Sequence, residues 1–145
     1  MHSIVLVDDH AIVREGFKRL IELEPDLEVV AECRSADDAV EAVGHWRPDL
    51  VALDLSLPDG SGLPLIEHLL SVHAATLVVV LSMHDGDPYV TEALRRGASG
   101  FVTKGVAPEE LVAGLRSVLQ GECFLSSDLR QRRAARPNAA LDPVN

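Results

Sequence analysis

Asp54 ends the apolar run Leu50-Val51-Ala52-Leu53 and stands just ahead of the turn signals Pro58, Asp59 and Gly60. An isolated Asp in such a place more often caps or turns the chain than does chemistry. Three other apolar runs, however, also end on chemically specific residues. Ser3-Ile4-Val5-Leu6-Val7 stops at Asp8 and Asp9, Thr76-Leu77-Val78-Val79-Val80-Leu81 at Ser82, and Phe101-Val102-Thr103 at Lys104. If a fold gathers these ends, three carboxylates meet, and like charges a few ångströms apart raise one another's pKa. Mg²⁺ would relieve that conflict, because it takes hard oxygen ligands and completes its octahedron with water and phosphate. A lysine ammonium suits a phosphate oxygen, and the Ser82 hydroxyl can hydrogen-bond the same group. An aspartate can itself be the nucleophile and become an aspartyl-phosphate. Phosphoryl transfer needs mainly positioning and charge neutralisation, so the set reads as a phosphoryl-accepting site.

The elements between these residues must bring them together. The apolar runs read as strands buried on both faces, as in parallel sheets. Leu27 to Cys33 alternates in part and reads as a further strand, nearer an edge. Between the strands, helical spacing covers Ala11 to Glu24, and a helix capped at Ser35 runs to about Trp46, which is expected to close the core beneath it. Three more helices are expected: to about Val72 with Pro64 in its first turn, from a capping Asp87 to Arg96, and from Pro108 to about Gln120. Five strands alternating with five helices imply a parallel sheet with helices on both faces. The carboxyl ends of all its strands then share one edge, where open α/β sheets place ligands. Strand order is not readable from these patterns. If the second strand lies outermost, the other four are neighbours, as in the order 2-1-3-4-5.

Length and composition suit one domain: 145 residues, 47% hydrophobic and 25% charged. The net charge of −10 is uneven, since residues 1–125 hold 9 basic and 21 acidic side chains, a net of −12. So acidic a body does not bind nucleic acid by itself, because phosphate neutralisation needs clustered Lys and Arg. No apolar run approaches the roughly 20 residues a bilayer requires, and no signal-peptide layout opens the chain, so a cytoplasmic location is expected. Cys33 and Cys123 have no paired spacing and read as small apolar fillers. The six His show no transition-metal spacing; His10 and His84 fall near the acidic edge and could tune it.

The chain resembles the response-regulator receiver domain of two-component signalling, in particular the NarL/FixJ (LuxR-type) family. The matching stretches are Val7-Asp8-Asp9-His10 with Val13-Arg14-Glu15-Gly16, Asp54-Leu55-Ser56-Leu57-Pro58-Asp59-Gly60-Ser61-Gly62, and Leu81-Ser82. They continue through Gly97-Ala98-Ser99-Gly100-Phe101-Val102-Thr103-Lys104 and Ser117 to Ser126, in order over about residues 3–126. The resemblance implies a flavodoxin-like (CheY-like) doubly wound α/β fold, a five-stranded parallel sheet in the order 2-1-3-4-5. It implies Asp54 as phosphoacceptor for a sensor histidine kinase. Asp9 and Asp54 would ligate Mg²⁺ directly, Asp8 through water, and the backbone carbonyl of Ser56 would complete the protein ligands. Lys104 would contact the phosphoryl oxygens, Ser82 and Phe101 would be the switch pair, and the Ser56 and His84 side chains would flank the phosphoryl group.

Two departures from the family pattern stand out. Gly105 follows Lys104 where the family commonly has Pro, often cis, and the switch aromatic Phe101 lacks a hydroxyl. The family's switch works on the face of the fourth helix, fifth strand and last helix, so a homodimer on phosphorylation is possible there. Residues 1–125 are then the receiver. Residues 126–145, with Arg130, Arg132, Arg133 and Arg136, read as a short basic helix and linker toward a C-terminal helix-turn-helix DNA-binding domain that this chain does not include. DNA would be reached only through that domain, and a shortened regulator is expected over a natural single-domain protein. Such a domain is no enzyme beyond its own aspartyl phosphorylation and dephosphorylation. The competing enzyme reading is a Mg²⁺-dependent phosphohydrolase with an Asp nucleophile; such enzymes place a second Asp two residues on, and here Ser56 stands there. A third reading is a degenerate receiver that binds partners without phosphorylation, against which the complete acidic set speaks.

Overall fold

Strands that are apolar at every position need cover on both faces, and this chain supplies it with helices on either side of one sheet. A computed structural model describes residues 1–57, 62–83 and 87–135, without the side chains of 87 and 133–135. The turn expected at Pro58, Asp59 and Gly60, the role of His84, a capping Asp87 side chain and residues 136–145 lie outside the described residues. The elements are β1 His2–Val7, α1 Ala11–Glu22, β2 Leu27–Cys33, α2 Ala36–Trp46, β3 Leu50–Asp54, α3 Gly62–Val72, β4 Leu77–Ser82, α4 Asp87–Arg95, β5 Gly100–Thr103, α5 Pro108–Leu119, β6 Phe124–Leu125 and α6 Ser127–Ala135. Every strand pair is parallel, and the order is β2-β1-β3-β4-β5-β6.

The pleat sorts the apolar residues into two cores. Val5, Val7, Val51, Leu53, Val78, Val80 and Phe101 share one with Ala39 and Val43 of α2, Leu65, Ile66 and Leu69 of α3, and Val90 and Ala93 of α4. The alternate positions Ile4, Leu6, Leu50, Ala52, Val79, Leu81 and Val102 share the other with Ile21 of α1 and Leu111, Leu115 and Val118 of α5. The apolar stripe of α5 therefore faces the sheet, not solvent. Ser35 caps α2 as its sequence predicts, its hydroxyl accepting from the Asp38 amide at 3.2 Å. Gly97, at φ 112°, ends α4: its amide bonds the Leu94 carbonyl and the Ala98 amide bonds that of Ala93. Among the described residues no helix is long and apolar enough to cross a membrane.

Three expectations need correction. The sheet has six strands, not five, because Phe124–Leu125 extends it past β5; two residues carry no periodicity to read. Gly114 admits that strand, since a Cβ there would come within 2.6 Å of the Phe124 ring. Trp46 does not close the core: it is 49% exposed at the end of α2, edge-on to the His45 ring at 5.0 Å. Cys123 is exposed, and only Cys33 is a buried filler, its thiol pushed up to about 11 chiefly by burial. Gly105 uses no positive φ, and every peptide bond among the described residues is trans.

Two predictions follow from close contacts. Gly62 opens α3 where an added Cβ would lie 2.3 Å from the Leu55 carbonyl oxygen and 2.8 Å from its Cα, backbone one residue past Asp54. Gly62→Ala will therefore destabilise the fold by about 1–3 kcal/mol, read from the urea midpoint. Arg116 of α5 ties down the turn between α1 and β2, donating to Asp26 at 2.7 and 2.8 Å and to Glu24 at 2.7 Å. Those bonds hold the Asp26 carboxyl at about 2, below its ordinary 3.8. Stability from this pair is complete above 3.8 and is lost as the pH falls toward 2. Arg116→Gln will return Asp26 toward 3.8 and move acid unfolding to higher pH, which carboxyl NMR titration will resolve.

Candidate functional site

Register alone assembles the site. Val7 is level with Leu53, so Asp8 and Asp54 follow side by side, and Asp54 is level with Leu81. Ser82 is level with Thr103, so Lys104 projects one residue beyond, its amide donating to the Ser82 carbonyl at 2.9 Å. By the pleat, Asp8, Asp54 and Lys104 continue the series that faces α1 and α5. Ser82 and Thr103 continue the opposite series, with Val80 and Phe101.

Asp8 and Asp54 are 3% and 1% exposed. The Lys104 ammonium lies 3.0 Å from Asp8 Oδ2 and 3.2 Å from Asp54 Oδ2. It donates a hydrogen bond to Asp8 but is not aimed at Asp54 Oδ2, which is buried without a hydrogen-bond partner, as is Asp9 Oδ1. The other Asp54 oxygen, Oδ1, accepts the Ser56 amide at 2.9 Å, a local turn that leads the chain out of β3. Ligand atoms of Asp8, Asp9, Asp54 and His10 all lie within 4.8 Å of one another. Three carboxylates against one ammonium leave two negative charges, which a divalent cation balances. Orphaned buried oxygens and hard donors fit Mg²⁺, and Asp8, Asp9 and Asp54 are placed so that they could hold it.

Of the residues singled out in the sequence, Asp8, Asp9, Asp54 and Lys104 converge. Ser56 contacts Asp54 through its backbone amide, while its side chain is exposed. Ser82 and Phe101 are fully buried on the neighbouring strands. His10 lies at the acidic edge, where the sequence reading put it, and two further contributors, Arg14 and Thr103, were not legible as such. His10 lacks a capping hydrogen bond, and its Nδ1 sits 3.3 Å from Asp8 Oδ1 and 3.2 Å from Asp9 Oδ1. Arg14 of α1 donates to the Asp8 carbonyl at 2.6 Å and to Glu32 at 3.2 Å, fixing the loop that presents Asp9. Thr103 is bonded to Asp128 of α6 at 2.8 Å. One helical turn from the acid pair, Arg14 carries a positional signal, whereas nothing in the sequence pairs Thr103 with Asp128.

The response regulator receiver domain family matches residues 4–116. The chain belongs to that family. The receiver is of the NarL/FixJ type, as its relatives show. It is 42% identical to the transcriptional regulatory protein UhpA of Salmonella typhimurium over 93% of this chain and 67% of that protein. It is 37% identical to DegU of Brevibacillus brevis, over 85% of this chain and 52% of that one. The receiver thus spans about half to two thirds of the curated relatives it matches. Among solved structures, a LuxR-family two-component response regulator from an Aurantimonas species superposes with a TM-score of 0.87 at 40% identity, covering 90% of this chain and 94% of that one. The receiver domain of a NarL response regulator from Mycobacterium tuberculosis gives 0.79 at 30% identity, covering 83% and 98%.

The charge balance predicts that Mg²⁺ at a hundredfold excess over its Kd will stabilise the receiver by about 2.7 kcal/mol. Asp9→Asn and Asp54→Ala will remove most of that gain, as thermal melts with and without the ion will measure.

Proposed function

We propose that Asp54 accepts a phosphoryl group from a sensor histidine kinase, and that this receiver thereby controls a transcriptional regulator of which it is the input module. The observation that carries the reading is the buried Asp54 Oδ2, unpartnered by hydrogen bonds and 3.2 Å from the Lys104 ammonium. With Oδ1 held by the Ser56 amide, Oδ2 is the nucleophile. It bonds to phosphorus as the bond from phosphorus to the donor's imidazole nitrogen breaks, and that nitrogen keeps the electron pair. Lys104 neutralises the charge on the transferred oxygens, moving from Asp8 toward them. Asp8, Asp9, Asp54 and the Ser56 carbonyl would hold Mg²⁺, which would supply charge neutralisation to the phosphoryl oxygens. Ser82 on β4, which pairs with the acceptor strand, and Phe101 on the next strand β5 answer the new group, and Ser56 flanks it.

Its relatives are transcriptional regulators and response regulators, not turnover enzymes, which favours stoichiometric labelling over phosphohydrolase activity. DNA is reached through an effector domain outside this chain, and a homodimer on phosphorylation is the remaining partner to test by sedimentation. Incubation with Mg²⁺ and acetyl phosphate will add the mass of one phosphoryl group to the wild type and none to Asp54→Asn. No adduct at any Mg²⁺ concentration, or multiple turnover on a phosphate ester, would sink this reading.

A further inference from the structure

The family match stops at residue 116, but the packed body continues through β6 and α6. Leu129 of α6 is 1% exposed and belongs to the same core as Phe101. Beside it a clamp is built on Asp128. Asp128 Oδ2 accepts from Thr103 Oγ1 at 2.8 Å, and Oδ1 accepts from Ser126 Oγ at 2.7 Å. The Ser126 hydroxyl in turn accepts from the Thr103 amide at 3.3 Å, and the Ser126 amide donates to the Phe101 carbonyl at 3.1 Å. Glu110 of α5 receives both the amide and the hydroxyl of Ser127. Burial pushes the Asp128 carboxyl up, but the Ser126 and Thr103 hydroxyls and two backbone amides outweigh it and hold the group below its ordinary value. The clamp is therefore charge-assisted at neutral pH.

Thr103 is the residue before Lys104, so the clamp fixes the strand end from which the ammonium reaches Asp8 and Asp54. We propose that Asp128 is a positioning residue for the phosphoryl site: through α6 it holds the Thr103–Lys104 strand end in the unphosphorylated arrangement, so that α6 seating and Asp54 phosphorylation oppose each other. The inference rests on Asp54 being the acceptor and assigns the segment that reads it. Its sense follows from two observations. With α6 seated, the ammonium is already shared between two carboxylates, whereas a phosphoryl group on Asp54 draws it off Asp8. Phe101 is also fully enclosed with Leu129 in one core, and a close-packed interior gives no room for an aromatic to shift while its cover stays in place. Linkage then makes the effect reciprocal: whatever phosphorylation does to α6 seating, unseating α6 does to the affinity for the phosphoryl group.

The test uses the whole chain with Mg²⁺ and beryllofluoride as the phosphoryl mimic, read by amide hydrogen exchange and by calorimetric binding. Beryllofluoride will speed exchange in residues 128–132 of the wild type by about fivefold or more while leaving α3 unchanged. Asp128→Ala will speed the same amides without the mimic and tighten beryllofluoride binding by a similar factor, a gain that simple structural damage does not produce. Leu129→Ala, which loosens the seat without touching the clamp, will act in the same direction, and Asp128→Asn, which keeps a carbonyl acceptor, will fall between. If Asp128→Ala does not fold, those two variants are judged by the same measurements. Unchanged or slower α6 exchange on binding, or a folded variant with loosened α6 that binds no tighter, overturns the inference alone. A wild type that binds no beryllofluoride overturns the acceptor reading with it.

Discussion

Three carboxylates held at one sheet edge against a single buried ammonium are the constraint on which the rest of this receiver depends. Parallel pairing forces the carboxyl ends of β1, β3, β4 and β5 onto the same side, and register sets which residues stand level. The fold then has to hold repelling groups together: an unmatched buried charge costs several kcal/mol, and the Lys104 side chain is only 8% exposed. Arg14 holds the Asp8 carbonyl, and the Ser56 amide holds one Asp54 oxygen. What is left is a deficit of two positive charges aimed at one point, stored by packing that owes nothing to the charges. The two apolar cores supply that packing, so the site can be electrostatically unfavourable without unfolding its scaffold.

The pleat divides this edge by function. Asp8, Asp54 and Lys104 lie on the side of α1 and α5, while Ser82, Thr103 and Phe101 lie on the side of α3, α4 and α6. On the proposed reading, a phosphoryl group on Asp54 is thus on one face and the residues that would respond are on the other. The covalent step between Thr103 and Lys104 joins them. Any shift of the backbone under Lys104 on one face is also a shift of Thr103 on the other, which is a mechanical link shorter than any chain of side-chain contacts.

How much of this was legible in the sequence depends on how local each feature is. The apolar runs located β1, β3, β4 and β5 within a residue or so, because burial on both faces leaves no other composition for them, and partial alternation located the edge strand β2. The residues that end those runs include Asp8, Asp9, Asp54 and Lys104, which the fold brings together, and Ser82, which it turns to the other face. Trp46 was misjudged because size and apolarity do not say on which side of a helix end a ring falls, and here it falls outward. β6 escaped because two residues have no period, and its pairing is made possible by the bare face of Gly114 on another helix. The Thr103–Asp128 bond spans 25 positions between residues that are individually ordinary. Long-range polar pairs of this kind are set by packing geometry, and packing geometry is what a single sequence does not display.

The last element shows how that geometry bears on function. Nine residues of α6 are described, and among its described side chains Arg130, Gln131 and Arg132 are exposed while Leu129 alone is fully buried. A helix so short is not stable in water by its own propensity. Its helicity is a product of the seat: Leu129 in the core, the Asp128 clamp on β5, Glu110 holding Ser127, and Arg130 over the Phe124 ring at 5.6 Å. Leaving the seat therefore means losing the helix, not swinging it as a rigid arm. The ordering entropy of α6 thus enters the same equilibrium as the contacts, opposing the seated state and lowering the free energy needed to release it. On the proposed reading, a signal of modest size at Asp54 would suffice to tip a segment balanced in that way.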